Sequence, residues 1–107
     1  AATRDTWIYK EDCAEQLIRL ALAKRLNHFV YNNGGTSITA GALAVIVKSF
    51  IPDARIDFDE SKSETPLIEI MCGQRLINEI GFTPRSMEQG VKAHINEARQ
   101  EVGLSLV

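Results

Sequence analysis

Residues 29–58 place the tightest limit on how this chain can fold. They run as a strand-like segment, a glycine turn, an apolar helical segment, a proline stop and a second short strand. Phe29, Val30 and Tyr31 are aromatic or β-branched and suit a pleated, buried strand. Asn32-Asn33-Gly34-Gly35 breaks that strand, because Asn and Gly tolerate positive φ. After Thr39 the period changes to helical, with Leu43, Ile46, Val47, Phe50 and Ile51 on one side. Pro52 cannot continue a helix, and Arg55-Ile56-Asp57-Phe58-Asp59 then alternates polar and apolar. The spacing predicts strand 28–33, helix 39–51 and strand 55–59. This is a small β-α-β core whose strands are most simply parallel with a right-handed crossover.

The flanks supply helices. Asp12 with Glu15 three residues later fits a capping box, and Ala14, Leu17, Ile18, Ala21 and Leu22 stripe one face, predicting a helix over 12–25. Thr6-Trp7-Ile8-Tyr9 ahead of it reads as a strand or an extended lead-in. Beyond the core, 60–65 is a polar loop closed by Pro66, and Leu67-Ile68-Glu69-Ile70 suits a brief strand. Two C-terminal helices are expected at 74–80 and 86–102. Gly81 sits at the left-handed C-terminal position of the first, and Ser86 with Gln89 caps the second. Gly90 inside the last helix costs about 1 kcal/mol against Ala, which points to close packing there. The whole is an α/β chain forming a single domain over 1–107. Its length allows roughly 65% of the unfolded surface to be buried.

Bulk properties exclude several roles. The formal net charge is −2 with both signs interspersed, so there is no basic stripe for nucleic acid. The apolar runs are too short to span a bilayer. Arg4, Asp5, Lys10 and Glu11 near the N-terminus do not fit a signal peptide. Cys13 and Cys72 make no disulfide framework and no Cys-x-x-Cys site, so a cytoplasmic location is expected.

No catalytic constellation is visible. Gly34-Gly35 with Gly41 has neither the phosphate-loop spacing nor the Gly-x-Gly-x-x-Gly pattern, and reads as a turn. His28 and His94 lack metal-ligand partners at suitable spacing and read as structural. Cys13, in the first turn of a helix, is open to thiol chemistry or to burial as a small apolar residue. Asp57, Asp59 and Glu60 are a solvated loop edge rather than a cation cage. Trp7 and Met87 read as packing residues.

Taken in order, however, five segments resemble the C-terminal portion of an extended short-chain dehydrogenase/reductase, the NAD-dependent epimerase/dehydratase family that includes UDP-galactose 4-epimerase. Trp7-Ile8-Tyr9-Lys10-Glu11-Asp12-Cys13-Ala14 resembles the family's aromatic-Ile-His/Tyr-Val-x-Asp-Val-Ala lead into a helix. Val30-Tyr31-Asn32-Asn33-Gly34-Gly35 is similar to its Val-Tyr-Asn-x-Gly strand and turn, and Ile51-Pro52-Asp53-Ala54 to its Pro-Asp/Glu-Ala helix end. Glu79-Ile80-Gly81-Phe82-Thr83-Pro84 and Ser86-Met87-Glu88-Gln89-Gly90-Val91 resemble its Glu-Leu-Gly-Phe/Trp-x-Pro and Ser-Leu-Glu-Glu-Gly-Leu.

The resemblance implies a substrate-side piece that closes over a nucleotide-sugar and adds the last strand of a larger sheet. It implies NAD or NADP for the full-length family but no cofactor in this chain, because the catalytic Tyr-x-x-x-Lys is missing: Cys13 follows Tyr9 and Gly35 follows Tyr31 at the lysine place. The chain alone is therefore expected to be catalytically silent. Arg4 and Arg55 are the candidate substrate-binding residues, matched to arginines that meet the substrate diphosphate, since a guanidinium fork fits two oxygens. The family's Arg-x-Gly-Asp is Arg55-Ile56-Asp57 here, and Lys10 stands where Val is usual. A homodimer or a missing Rossmann half is expected to cover the exposed sheet margins. The alternative is a free-standing interaction or assembly module without a substrate.

Overall fold

The computed structural model describes residues 1–61 and 70–107. It shows β1 (Arg4–Trp7), α1 (Lys10–Leu22), β2 (Thr36–Thr39), α2 (Ala40–Phe50), α3 (Gln74–Ile80) and α4 (Met87–Glu101). The chain is thus mixed α/β, with a small β-α core and two C-terminal helices at almost their expected bounds. Gly81 takes the left-handed conformation (φ 65°) at the end of α3, and Ser86 and Gln89 form a reciprocal capping box on α4. Thr39 caps α2 by accepting from the Ala42 amide at 3.2 Å. The segment 62–69, which includes most of the brief strand expected at 67–70, lies outside the described residues.

The strands are placed differently. β1 and β2 pair antiparallel, Arg4 opposite Thr39 and Trp7 opposite Thr36. Ala40 N to Thr3 O and Gly41 N to Ala1 O, both 2.9 Å, continue the pairing into α2. Neither 28–33 nor 55–59 is a strand, so the parallel β-α-β reading is corrected to this antiparallel pair. The physical reason is the ladder. A β-prone segment becomes a strand only when a neighbour takes its backbone groups. Here side chains take some of them: the Tyr31 hydroxyl accepts from His28 N (3.0 Å) and Gln16 Nε2 donates to Asn33 O (3.0 Å). Phe29 and Val30 are left exposed.

Helix α1 departs from expectation in its start, its length and its orientation. It begins at Lys10 with Tyr9 as N-cap, and it ends at Leu22, not 25. Asp12 is not a cap but a buried third residue whose Oδ2 accepts from the Arg85 amide at 2.8 Å. The buried positions are Asp12 and Gln16, while Ala14, Leu17, Ile18, Ala21 and Leu22 are all exposed. The apolar stripe expected to face the core faces outward. Helix α2, whose first eight residues are all apolar or glycine, has no buried residue either. A helix apolar all round normally lies inside a larger body.

The core is correspondingly thin. Among the described residues Leu76 is the one fully buried aliphatic. The chain measures 48 × 37 × 17 Å with a radius of gyration of 16.2 Å, against about 13 Å for a compact domain of this length. Its accessible surface is 7852 Å², against roughly 6000 Å² for a folded monomer of this mass, so the expected burial is not reached.

Candidate functional site

A cavity of about 700 Å³ opens between the end of β1, helix α2 and the start of α4. This is within the range of small-molecule sites. Leu43 and Val47 of α2 face it from one side, and Met87, Val91 and Ile95 of α4 from another. Trp7 and Tyr9 add aromatic surface. The capping box starts α4 at a defined place, and the Thr39 cap does the same for α2, so the two apolar stripes meet across the opening. A smaller cavity of about 250 Å³ shares Trp7, Leu43 and Val47 with it.

Two glycine contacts set the geometry. A Cβ on Gly90 would lie 3.2 Å from the Tyr9 Cβ, so the glycine lets α4 approach the start of α1, the close packing its sequence position suggested. A Cβ on Gly35 would lie 2.3 Å from the Trp7 carbonyl oxygen, and Gly35 has φ 123°. The Asn-Asn-Gly-Gly segment thus has two positive-φ glycines, and Gly35 lets the chain pass close to the Trp7 carbonyl as it enters β2.

Charged groups gather on one rim. Lys10 and Glu97 form an ion pair, and the Tyr9 hydroxyl donates to the other Glu97 oxygen at 3.5 Å. The bond from Lys10 holds the Glu97 carboxyl below its ordinary value, and the same bond raises Lys10. Loss of solvent contact, together with the carboxylates of Glu11 and Glu97, raises Tyr9. The Arg85 guanidinium lies over the Tyr9 ring, 4.9 Å from its centroid. His94 also lines the cavity.

Sequence reasoning did not single out Lys10, Arg85 or His94 as a group, because they come from three separate elements. The only local signal was Arg85 itself, fixed between Pro84 and the capping serine. Arg4 and Arg55 are both exposed and line neither cavity. Arg4 donates to the Ser37 carbonyl at 3.3 Å across the strand pair. Cys13 is half-buried beside Asn33, Cys72 is exposed on the cavity, and both thiols are free. Trp7, expected to be a packing residue, is about half exposed, at 49%. Among the described residues no group of three or more His, Cys, Asp or Glu is placed to hold a metal ion, and no helix is long and apolar enough to cross a membrane.

No family model, curated protein or solved structure matches this chain.

Away from the cavity, Glu79 on α3 ties down the segment that follows α1. Its two oxygens accept from Asn27 N at 2.7 Å and Asn27 Nδ2 at 3.0 Å. These bonds hold its carboxyl below the ordinary glutamate value. A carboxyl depressed in the folded state contributes stability above its unfolded pKa, about 4.3, and loses it as the pH falls through the folded value. Urea midpoints of the wild type and Glu79→Gln should therefore differ at pH 7, and the gap should close as the pH falls below the ordinary glutamate range. An unchanged gap across that range would show that the Asn27 bonds do not form in solution.

Proposed function

We propose that this chain is the nucleotide-sugar-binding portion of an NAD-dependent epimerase or dehydratase, acting with a cofactor-binding half that it does not contain. One observation carries the reading. The 700 Å³ cavity is lined by residues from four of the five segments that resemble the family, namely those beginning at Trp7, Val30, Glu79 and Ser86. Segments far apart in the chain that share a family pattern and converge on one concave surface are what a substrate site requires. The fifth, at Ile51–Ala54, ends α2 and lies away from it.

The division of labour follows from the chemistry of the surfaces. The apolar and aromatic walls take the base and sugar faces, while the rim cations and the Asn33 and Gln74 side chains fix orientation. The outward stripe of α1 and the unpaired segment 28–33 support a second body: a helix face and an adjacent unpaired β-prone run are what a larger sheet would cover. The hydride chemistry belongs to that body, since this chain has no Tyr-x-x-x-Lys.

Calorimetric titration with UDP-glucose tests the reading. Saturable heat, with no turnover by the purified chain, is the expected result. The same outward stripe favours a second reading, an assembly module without a small-molecule ligand. Absence of heat together with a stable dimer in sedimentation would select that module.

A further inference from the structure

We propose that Arg85 is the anion-recognition residue of the cavity and takes the diphosphate that Arg4 and Arg55 are not placed to meet. The inference rests on the nucleotide-sugar reading and adds to it the residue that would hold the charge.

Pro84 precedes Arg85 and Ser86 caps α4 after it, so the residue sits at a fixed point on the cavity rim. Its amide donates to the buried Asp12 Oδ2 at 2.8 Å, which anchors the rim to α1. That bond is made by the Arg85 main-chain amide to the Asp12 carboxylate and does not require the Arg85 side chain. The guanidinium carbon lies over the Tyr9 ring, 4.9 Å from its centroid. A guanidinium resting over an aromatic face already has part of its freedom restricted, so less side-chain entropy is lost when its fork engages two oxygens.

Its existing ion pairs are loose. Nη1 lies 3.5 Å from Glu11 Oε2 and Nε lies 3.8 Å from Asp12 Oδ1. Charge-assisted hydrogen bonds to carboxylate are about 2.7–2.9 Å long. The side chain is 42% exposed, so an incoming anion can reach it. A diphosphate can therefore replace distant contacts with direct ones. Lys10 is the second cation on this rim, but its ammonium is committed to Glu97. Glu11 opposes the anion, and that gives the proposal a second sign to check.

The test uses the full chain, with UDP-glucose and uridine as probes. Arg85→Ala should weaken UDP-glucose about tenfold or more, while uridine, which has no phosphate, binds both proteins alike. Arg85→Lys should restore only part of the loss, because an ammonium lacks the bidentate fork. Glu11→Gln should tighten UDP-glucose, and Arg4→Ala and Arg55→Ala should leave it unchanged. Circular dichroism of each variant checks that the fold is kept, which the surviving main-chain bond to Asp12 favours. If UDP-glucose binds and Arg85→Ala binds it equally well, the assignment of Arg85 is overturned and the functional reading stands. If the wild type binds no UDP-glucose, the functional reading falls and this assignment falls with it.

Discussion

Gly35→Ala is expected to destabilise the chain by about 2–5 kcal/mol, whereas Gly81→Ala costs only about 1–2 kcal/mol. Both glycines have positive φ, 123° and 65°. A left-handed conformation alone costs an L-residue roughly 1–2 kcal/mol. At Gly81 that is the whole effect, because a Cβ there meets nothing within 4 Å. At Gly35 the added methyl would lie 2.3 Å from the Trp7 carbonyl oxygen and 2.9 Å from its carbon. Those are main-chain atoms of the paired strand and cannot turn aside as a side chain would. Relief requires β1 and β2 to separate, which adds an overpacking cost of about 1–3 kcal/mol. Urea unfolding followed by Trp7 fluorescence measures both variants, and Trp7 reports on the strand that Gly35 touches. Equal midpoints for the two alanines would mean that β2 does not lie against β1 as described.

Leu76→Ala should cost about 2–5 kcal/mol, while Leu22→Ala changes stability by no more than about 0.5 kcal/mol. Hydropathy ranks the two leucines alike, and the helical pattern places both on apolar faces. Their surroundings differ. Leu76 is 2% exposed on α3, a helix that packs against α1, so its removal leaves a cavity in the one fully buried aliphatic position described. Leu22 is 77% exposed on the last turn of α1. Truncating it removes little buried surface, and Ala is the stronger helix former. Urea midpoints decide this as well. A large loss at Leu22 would show that the α1 stripe is covered in solution.

These contrasts bear on function. A free chain with so little interior has a low reserve of stability, and the surfaces it leaves open are chemically distinct. The α1 stripe is purely apolar and exposed. The cavity combines apolar walls with a charged rim and suits a ligand that has both characters. Mutations in the first should alter association, and mutations at Arg85 should alter ligand affinity, with neither expected to disturb the other.

Much of the chain's local structure was legible in its residues. Ser86 with Gln89 defined the start of α4, Gly81 the end of α3, and Thr39 and Pro52 bracketed α2. Each of these signals acts within one turn of backbone, so it survives whatever surrounds it. Gly90 likewise announced a close approach, although not that Tyr9 would fill it. The strands and the inside of α1 were decided elsewhere. A strand exists only through its neighbour, and Phe29-Val30-Tyr31, for all its β-preference, has none among the described residues, while Thr36–Thr39 gains one from β1. A helical stripe says which residues share a face, but not what that face meets. In this fold the side of α1 that packs carries Asp12 and Gln16, because the Arg85 amide and the Asn33 carbonyl approach from that side. The rim of Tyr9, Lys10, Arg85 and His94 likewise exists only once α1 and α4 are brought together, since no spacing along a chain records a meeting between distant turns.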